Sequence, residues 1–271
     1  MTPVQSDEED LTRKQRREQA RAQRKALEEA EAAGAARRTR LTQLGVVVAV
    51  IVVAIVVVLV ATGGGGSKAP KPVPGNPASS EVNALVGGIH QSGNTLGSAS
   101  APVTLQYFGD LECPVCKQFT LGALPTVIKK WVRSGKLKIE YRSLETATRE
   151  PEVFKTQQVA ALAAGKQNKM WNFIELFYHQ QGEESTGYVT ENYLQGLAQQ
   201  VSGLDLAKWT SDRGDATLAS QLTTDAQAAN NSGFTGTPSF LIGKSGGAMS
   251  KLEYSSLTDP GPFNSAIQKL L

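Results

Sequence analysis

The stretch "FGDLECPVCKQF", residues 108–119, carries the only two cysteines of a 271-residue chain, Cys113 and Cys116. Three chemistries could use such a pair: a structural staple, half of a metal site, or a disulfide made and broken in turnover. The staple is weak. Closing a four-residue loop removes about 1.9 kcal/mol of unfolded-state entropy, against about 4.7 for a 100-residue loop. Structural zinc takes four ligands, and the only histidines, His90 and His179, are not paired at a ligand spacing, so no metal is expected. The reactive reading has three physical supports. Positions i and i+3 of a first helical turn lie close enough for a disulfide. Pro114 suits the first turn of a helix that Cys113 would open, and the free N–H groups there lower a thiol's pKa. Cys113 would be the more exposed sulfur, with Cys116, one turn inside, able to resolve a mixed disulfide.

The elements that would position this pair follow from pattern. Residues 102–108, "PVTLQYF", alternate and are β-rich, so they form a strand that runs through the turn "GDLE" into the cysteines. A helix starts near Pro114, is interrupted at Pro125 and ends at Gly135. Residues 136–144, "KLKIEYRSL", form a second strand, and a glycine-broken helical stretch runs from about 152 to 231. Residues 237–243, "TPSFLIG", and 249–254, "MSKLEY", are strands, and "GPFNSAIQKLL" closes the chain as a helix. Thr237 and Pro238 stand just before the third strand, far from the cysteines in sequence.

Cys-x-x-Cys after a strand, a helical insertion, and Thr-Pro-Ser-Phe leading into a strand together resemble the DsbA-like branch of the thioredoxin superfamily. The residues that carry this are "APVTLQYFGDLECPVCKQF" and "TGTPSFLIG", and the likeness spans about residues 88–271. It implies an α/β thioredoxin fold with an inserted helical subdomain at about 150–232. It also implies that Pro238 is cis and faces the cysteines, that the backbone of Thr237 pairs with a bound substrate strand, and that Pro125 kinks the active-site helix. The dipeptide between the cysteines, Pro114-Val115, departs from the Pro-His of the family's best-known strong oxidant. Val115 carries no charge and donates no side-chain hydrogen bond, so Cys113 should be less acidic and the disulfide less oxidising than in that protein. Asp110 and Glu112 would oppose a thiolate if their charges lay close; the plainer reading makes them capping or exposed turn residues.

The rest of the chain sets the compartment. Residues 41–61, "LTQLGVVVAVIVVAIVVVLVA", hold no charge, and about 21 residues at about 1.5 Å each reach about 31 Å, the thickness of bilayer hydrocarbon. The run reads as a transmembrane helix rather than a cleaved signal peptide, since about 40 residues precede it. Arg37, Arg38 and Arg40 before it, against Lys68 and Lys71 after it, place the N-terminus in the cytoplasm and the remainder outside. Residues 1–40 are then a charged cytoplasmic tail, read as solvated and partly helical; attraction to anionic lipid heads is the lesser reading, since Glu28, Glu29 and Glu31 dilute the basic charge. Residues 62–81 form a Gly/Pro linker, and residues 82–271 the globular domain. In that domain 16 Lys plus Arg balance 16 Asp plus Glu, which argues against nucleic acid.

The function expected is a single-pass bacterial membrane protein whose extracytoplasmic domain exchanges thiols and disulfides, introducing disulfides into exported cysteine-containing proteins. The pair carries both electrons, so no bound cofactor is needed. The resemblance implies reoxidation by a quinone-linked membrane partner. Two rivals stand beside it: a reductase of the same fold, serving for example cytochrome maturation, and a tethered chaperone or peptide-binding module. His179, Trp171, Phe173 and Phe177 read as packing or surface residues rather than site residues.

Overall fold

The computed structural model describes residues 77–271. The charged tail at 1–40, the apolar run at 41–61 and most of the linker lie outside the described residues. No helix among the described residues is long and apolar enough to cross a membrane.

The chain enters through helix α1 (Pro77–Val86), which takes up the last five residues of the stretch read as linker. A small hairpin follows, β1 (Gln91–Ser92) and β2 (Thr95–Leu96). Neither feature is expected from the sequence pattern. Strand β3 (Val103–Gly109) leads to α2 (Pro114–Leu121), α3 (Leu124–Val127), a π-helical turn (Ile128–Val132) and strand β4 (Leu137–Ser143). Five helices then stand between β4 and the next strand: α4 (Pro151–Gly165), α5 (Met170–His179), α6 (Glu191–Gln200), α7 (Leu206–Asp212) and α8 (Ala216–Asn231). Strands β5 (Ser239–Lys244) and β6 (Met249–Lys251) and helix α9 (Gly261–Leu270) complete the fold. β6 stops at Lys251, three residues short of the strand predicted there.

The sheet runs β1-β2-β4-β3-β5-β6. Only β3 and β4 pair in parallel, with Tyr107 opposite Tyr141; β5 lies antiparallel to β3, with Phe240 opposite Tyr107. β3 is central, so both its faces are covered and six of its seven residues are buried. β4 alternates instead, burying Leu137, Ile139, Tyr141 and Ser143 and leaving Lys138, Glu140 and Arg142 half-buried on the other face, where Arg142 pairs with buried Asp225. The edges are short: two residues in β1 and three in β6.

An aromatic cluster fills the space between sheet and helices. Tyr107 packs edge-on against Phe119 at 5.0 Å and Tyr141 at 5.2 Å, and Phe240 against Phe263 at 5.1 Å. Helix α5 carries "MWNFIELFYH", of which all but the last residue are buried. Trp171, Phe173 and Phe177 are therefore core residues, and the Trp171 indole donates to the Asn94 carbonyl at 3.0 Å.

The active-site helix breaks earlier than predicted. It ends at Gly122, not at Pro125, which lies in the first turn of the next helical segment. The reason is a close approach. A Cβ on residue 122 would lie 2.9 Å from the Thr258 Cα and 2.5 Å from the Gln118 carbonyl oxygen. Beside it, the Ala123 N–H leaves the helix to bond the Leu257 carbonyl at 3.1 Å.

Candidate active site

β3 ends at Gly109, and residues 110–112 turn the chain so that Cys113 caps α2. The turn closes with a hydrogen bond from the Cys113 N–H to the Asp110 carbonyl, 3.0 Å. Cys113 itself is extended (φ −69°, ψ 117°), and Pro114 follows in the first helical turn, where a missing N–H costs nothing. This geometry aims the open end of the helix at sulfur: the Cys116 N–H donates to Cys113 Sγ at 3.4 Å. On the other side, the Cys113 thiol donates to the Thr237 carbonyl at 3.5 Å. The Thr237–Pro238 peptide bond is cis, and the Pro238 carbonyl accepts from the Tyr254 hydroxyl at 2.9 Å.

Both cysteines are free thiols, and their surroundings differ. Cys113 is 5% exposed and Cys116 fully buried. The Cys113 pKa is lowered to about 6. The largest cause is the hydrogen bond from the Cys116 thiol, with Thr237 and the N–H groups of Cys116 and Val115 adding to it, against the opposing effect of burial. Burial pushes Cys116 well above the ordinary thiol range, and its bond to Cys113 pushes it further. One sulfur is thus poised as thiolate at neutral pH while its partner keeps the proton. Pro114 and Val115, between them, are exposed at the rim.

The acidic neighbours are buried rather than exposed, while Asp110 keeps a capping role. Asp110 is fully buried, neither an exposed turn residue nor aimed at the thiolate. Its Oδ2 accepts three successive backbone N–H groups, from Thr146, Ala147 and Thr148, at 3.0, 2.8 and 2.9 Å. Its Oδ1 accepts from the Thr148 hydroxyl at 2.6 Å and the Glu112 N–H at 3.1 Å. Such a run of amides is a ready anion nest. Glu112 is also buried, and that burial raises its pKa.

Several residues of the site are ones that sequence reasoning passed over. Gln181 donates to the carbonyls of Leu111 (2.6 Å) and Cys113 (3.1 Å), bracing the turn from the end of α5. The Tyr178 hydroxyl donates to the Asp110 carbonyl at 3.0 Å and accepts from Tyr107 at 3.2 Å. Tyr107, Tyr141 and Tyr178 are all held protonated by burial. The histidines lie elsewhere: His90 faces the Gly97 carbonyl at 3.3 Å and His179 faces Glu81 at 3.8 Å. The arrangement supplies a nucleophilic sulfur, a buried second sulfur within one helical turn, and a peptide carbonyl beside them.

Comparison with known proteins agrees with this geometry. The family model described as Thioredoxin matches residues 90–255, more than half of the chain. The probable disulfide bond formation protein D of Bacillus cereus is 22% identical over 151 residues, covering 55% of this chain and 68% of that protein. Disulfide bond formation protein D of Bacillus subtilis is 26% identical over 152 residues, covering 54% and 66%. Among solved structures, oxidised BdbD from Bacillus subtilis superposes with a TM-score of 0.56 at 21% identity, over 67% of this chain and 96% of that one.

Proposed function

Since the chain belongs to the thioredoxin family, as a DsbA-like thiol–disulfide oxidoreductase, we propose that it works as a dithiol oxidase on exported proteins, tethered to the bacterial membrane. The observation that supports the oxidase direction is the seat of Cys113 Sγ at the open start of α2, 3.4 Å from the Cys116 N–H, which favours the thiolate. A thiolate stabilised to a pKa of about 6 favours the reduced enzyme, and so gives a disulfide that readily accepts electrons. The names of the Bacillus relatives support the same direction.

The cycle starts from the Cys113–Cys116 disulfide. A substrate thiolate attacks Cys113 Sγ, the S–S bond breaks, and its electron pair goes to Cys116, which takes up a proton. The substrate's second thiolate then attacks its own sulfur in the mixed disulfide, and Cys113 leaves as thiolate. Two electrons pass from substrate to enzyme. A substrate strand lies against the backbone of Thr237 next to Pro238. Reoxidation passes the two electrons to a quinone-linked membrane partner. The apolar run at 41–61, with its arginines on one side, supports the tether and an extracytoplasmic catalytic domain.

The test is trapping. In Cys116→Ala the Cys113 thiolate can still attack a disulfide of an exported protein, one client sulfur leaving as thiolate, but no Cys116 is left to expel the client, so exported proteins should accumulate on Cys113 as reducible adducts, and Cys113→Ser should abolish both adducts and activity. Secreted proteins that still acquire their disulfides with Cys113→Ser, in cells lacking the wild-type gene, would remove the oxidase role. A reductase reading draws on one observation, the exposed and uncharged Val115 between the cysteines. Equilibration with glutathione separates the two: a disulfide stable in a strongly reducing buffer marks the reductase.

A further inference from the structure

If Cys113 is the nucleophile of thiol exchange, the group that faces it matters as much as the helix beneath it. Thr237 touches the sulfur through its carbonyl, at 3.5 Å. Its side chain also acts to lower the pKa of that sulfur. A threonine side chain has more than one accessible rotamer, and an exposed loop does not choose between them. Here the choice is made from outside the loop. Thr146 Oγ1 lies 2.5 Å from Thr237 Oγ1.

Thr146 is itself fixed. Its N–H bonds Asp110 Oδ2 at 3.0 Å, as do the next two amides of its loop. The Asp110 carbonyl accepts the Cys113 N–H, and the Cys113 thiol returns to the Thr237 carbonyl. Hydrogen bonds therefore close a ring, Cys113–Asp110–Thr146–Thr237–Cys113, drawn from three distant stretches of sequence. We propose that Thr146 is a positioning residue of the thiol chemistry, holding Thr237 in the orientation in which its hydroxyl and carbonyl face Cys113 Sγ. Either hydroxyl can donate in that pair, and when Thr146 donates Thr237 keeps its proton for the thiolate. Thr146 touches neither sulfur nor substrate and acts only through Thr237. It is exposed, so exchanging its hydroxyl for a methyl leaves the core intact.

The experiment uses the full-length reduced protein and follows iodoacetamide alkylation of Cys113 from pH 4 to 9. Buried Cys116 serves as the slow internal reference. Thr146→Val should raise the midpoint by about half a unit and slow alkylation at pH 6 about twofold. It should also shift the glutathione equilibrium toward the disulfide, with the melting temperature unchanged. Thr146→Ser, which keeps the hydroxyl, should match the wild type. A Thr146→Val midpoint equal to the wild type's, a Thr146→Ser that behaves like valine, or a shift seen only alongside a lower melting temperature would each overturn the proposal. Failure of the parent reading looks different: wild-type Cys113 would itself titrate above pH 8, as an ordinary thiol does.

Discussion

The turn after β3 and the middle of helix α5 each bury a carboxyl group completely, and the protein treats the two in opposite ways. Asp110 receives five hydrogen bonds, four of them from backbone N–H groups. Neither oxygen of Glu175 has a hydrogen-bond partner among the described residues. It lies beside a cavity of about 330 Å³ whose walls include Leu85, Leu121 and Pro125. Burial alone pushes its pKa up to about 8, so at neutral pH it is mostly a neutral acid. Depth is the same in both places. What differs is the supply of donors, and the donors are found where the chain must be held for chemistry.

Three changes would break or sharpen that contrast. The largest effect belongs to Asp110→Ala, which strands four backbone N–H groups and the Thr148 hydroxyl. Urea denaturation should show a loss of about 4 kcal/mol; a loss under about 1 kcal/mol would mean that water satisfies those amides. Glu175→Gln should act the other way. The folded pKa of Glu175 lies above its ordinary value of 4.5, so the folded state holds its proton more tightly than the unfolded chain. The wild type therefore loses stability as pH rises from about 4.5 to about 8, and the glutamine variant does not. The variant should match the wild type at pH 4.5 and exceed it by about 3 kcal/mol at pH 7. Equal stability at both pH values would mean that Glu175 finds a partner when it ionises. The smallest effect tests the same rule on sulfur. Cys116→Ala removes the leading hydrogen bond to the Cys113 thiolate. The alkylation midpoint of Cys113 should rise by about one unit, or about 1.4 kcal/mol. An unchanged midpoint would assign the acidity to the helix N–H groups alone.

Much of the site was legible because its chemistry is local. Cys113, Pro114 and Cys116 sit on one turn, and a strand before them with a proline after Cys113 is enough to place a sulfur at a helix start. Thr237 and Pro238 could be matched to them only through the family pattern, since 124 residues separate Thr237 from Cys113. Asp110 could be seen but not understood: the amides that neutralise it come from residues 36 to 38 positions away. Thr146, Gln181 and Tyr178 gave no signal at all, since a lone polar residue on a loop or a helix end has no periodicity. α1 was hidden by its setting in Gly/Pro-rich sequence, and the β1–β2 hairpin by strands too short to alternate. The break at Gly122 was missed because proline marks a backbone constraint in one dimension, whereas the approach of Thr258 exists only in three.

On the function proposed above, the two- and three-residue outer strands of the sheet carry a consequence for the handling of unfolded clients. Polypeptides in search of their disulfides are extended, sticky and rich in unmade backbone bonds. A long open margin of sheet would capture them as extra strands and seed fibrous deposits. Trimming both margins to a few residues would leave such clients little to zip onto away from the cysteines.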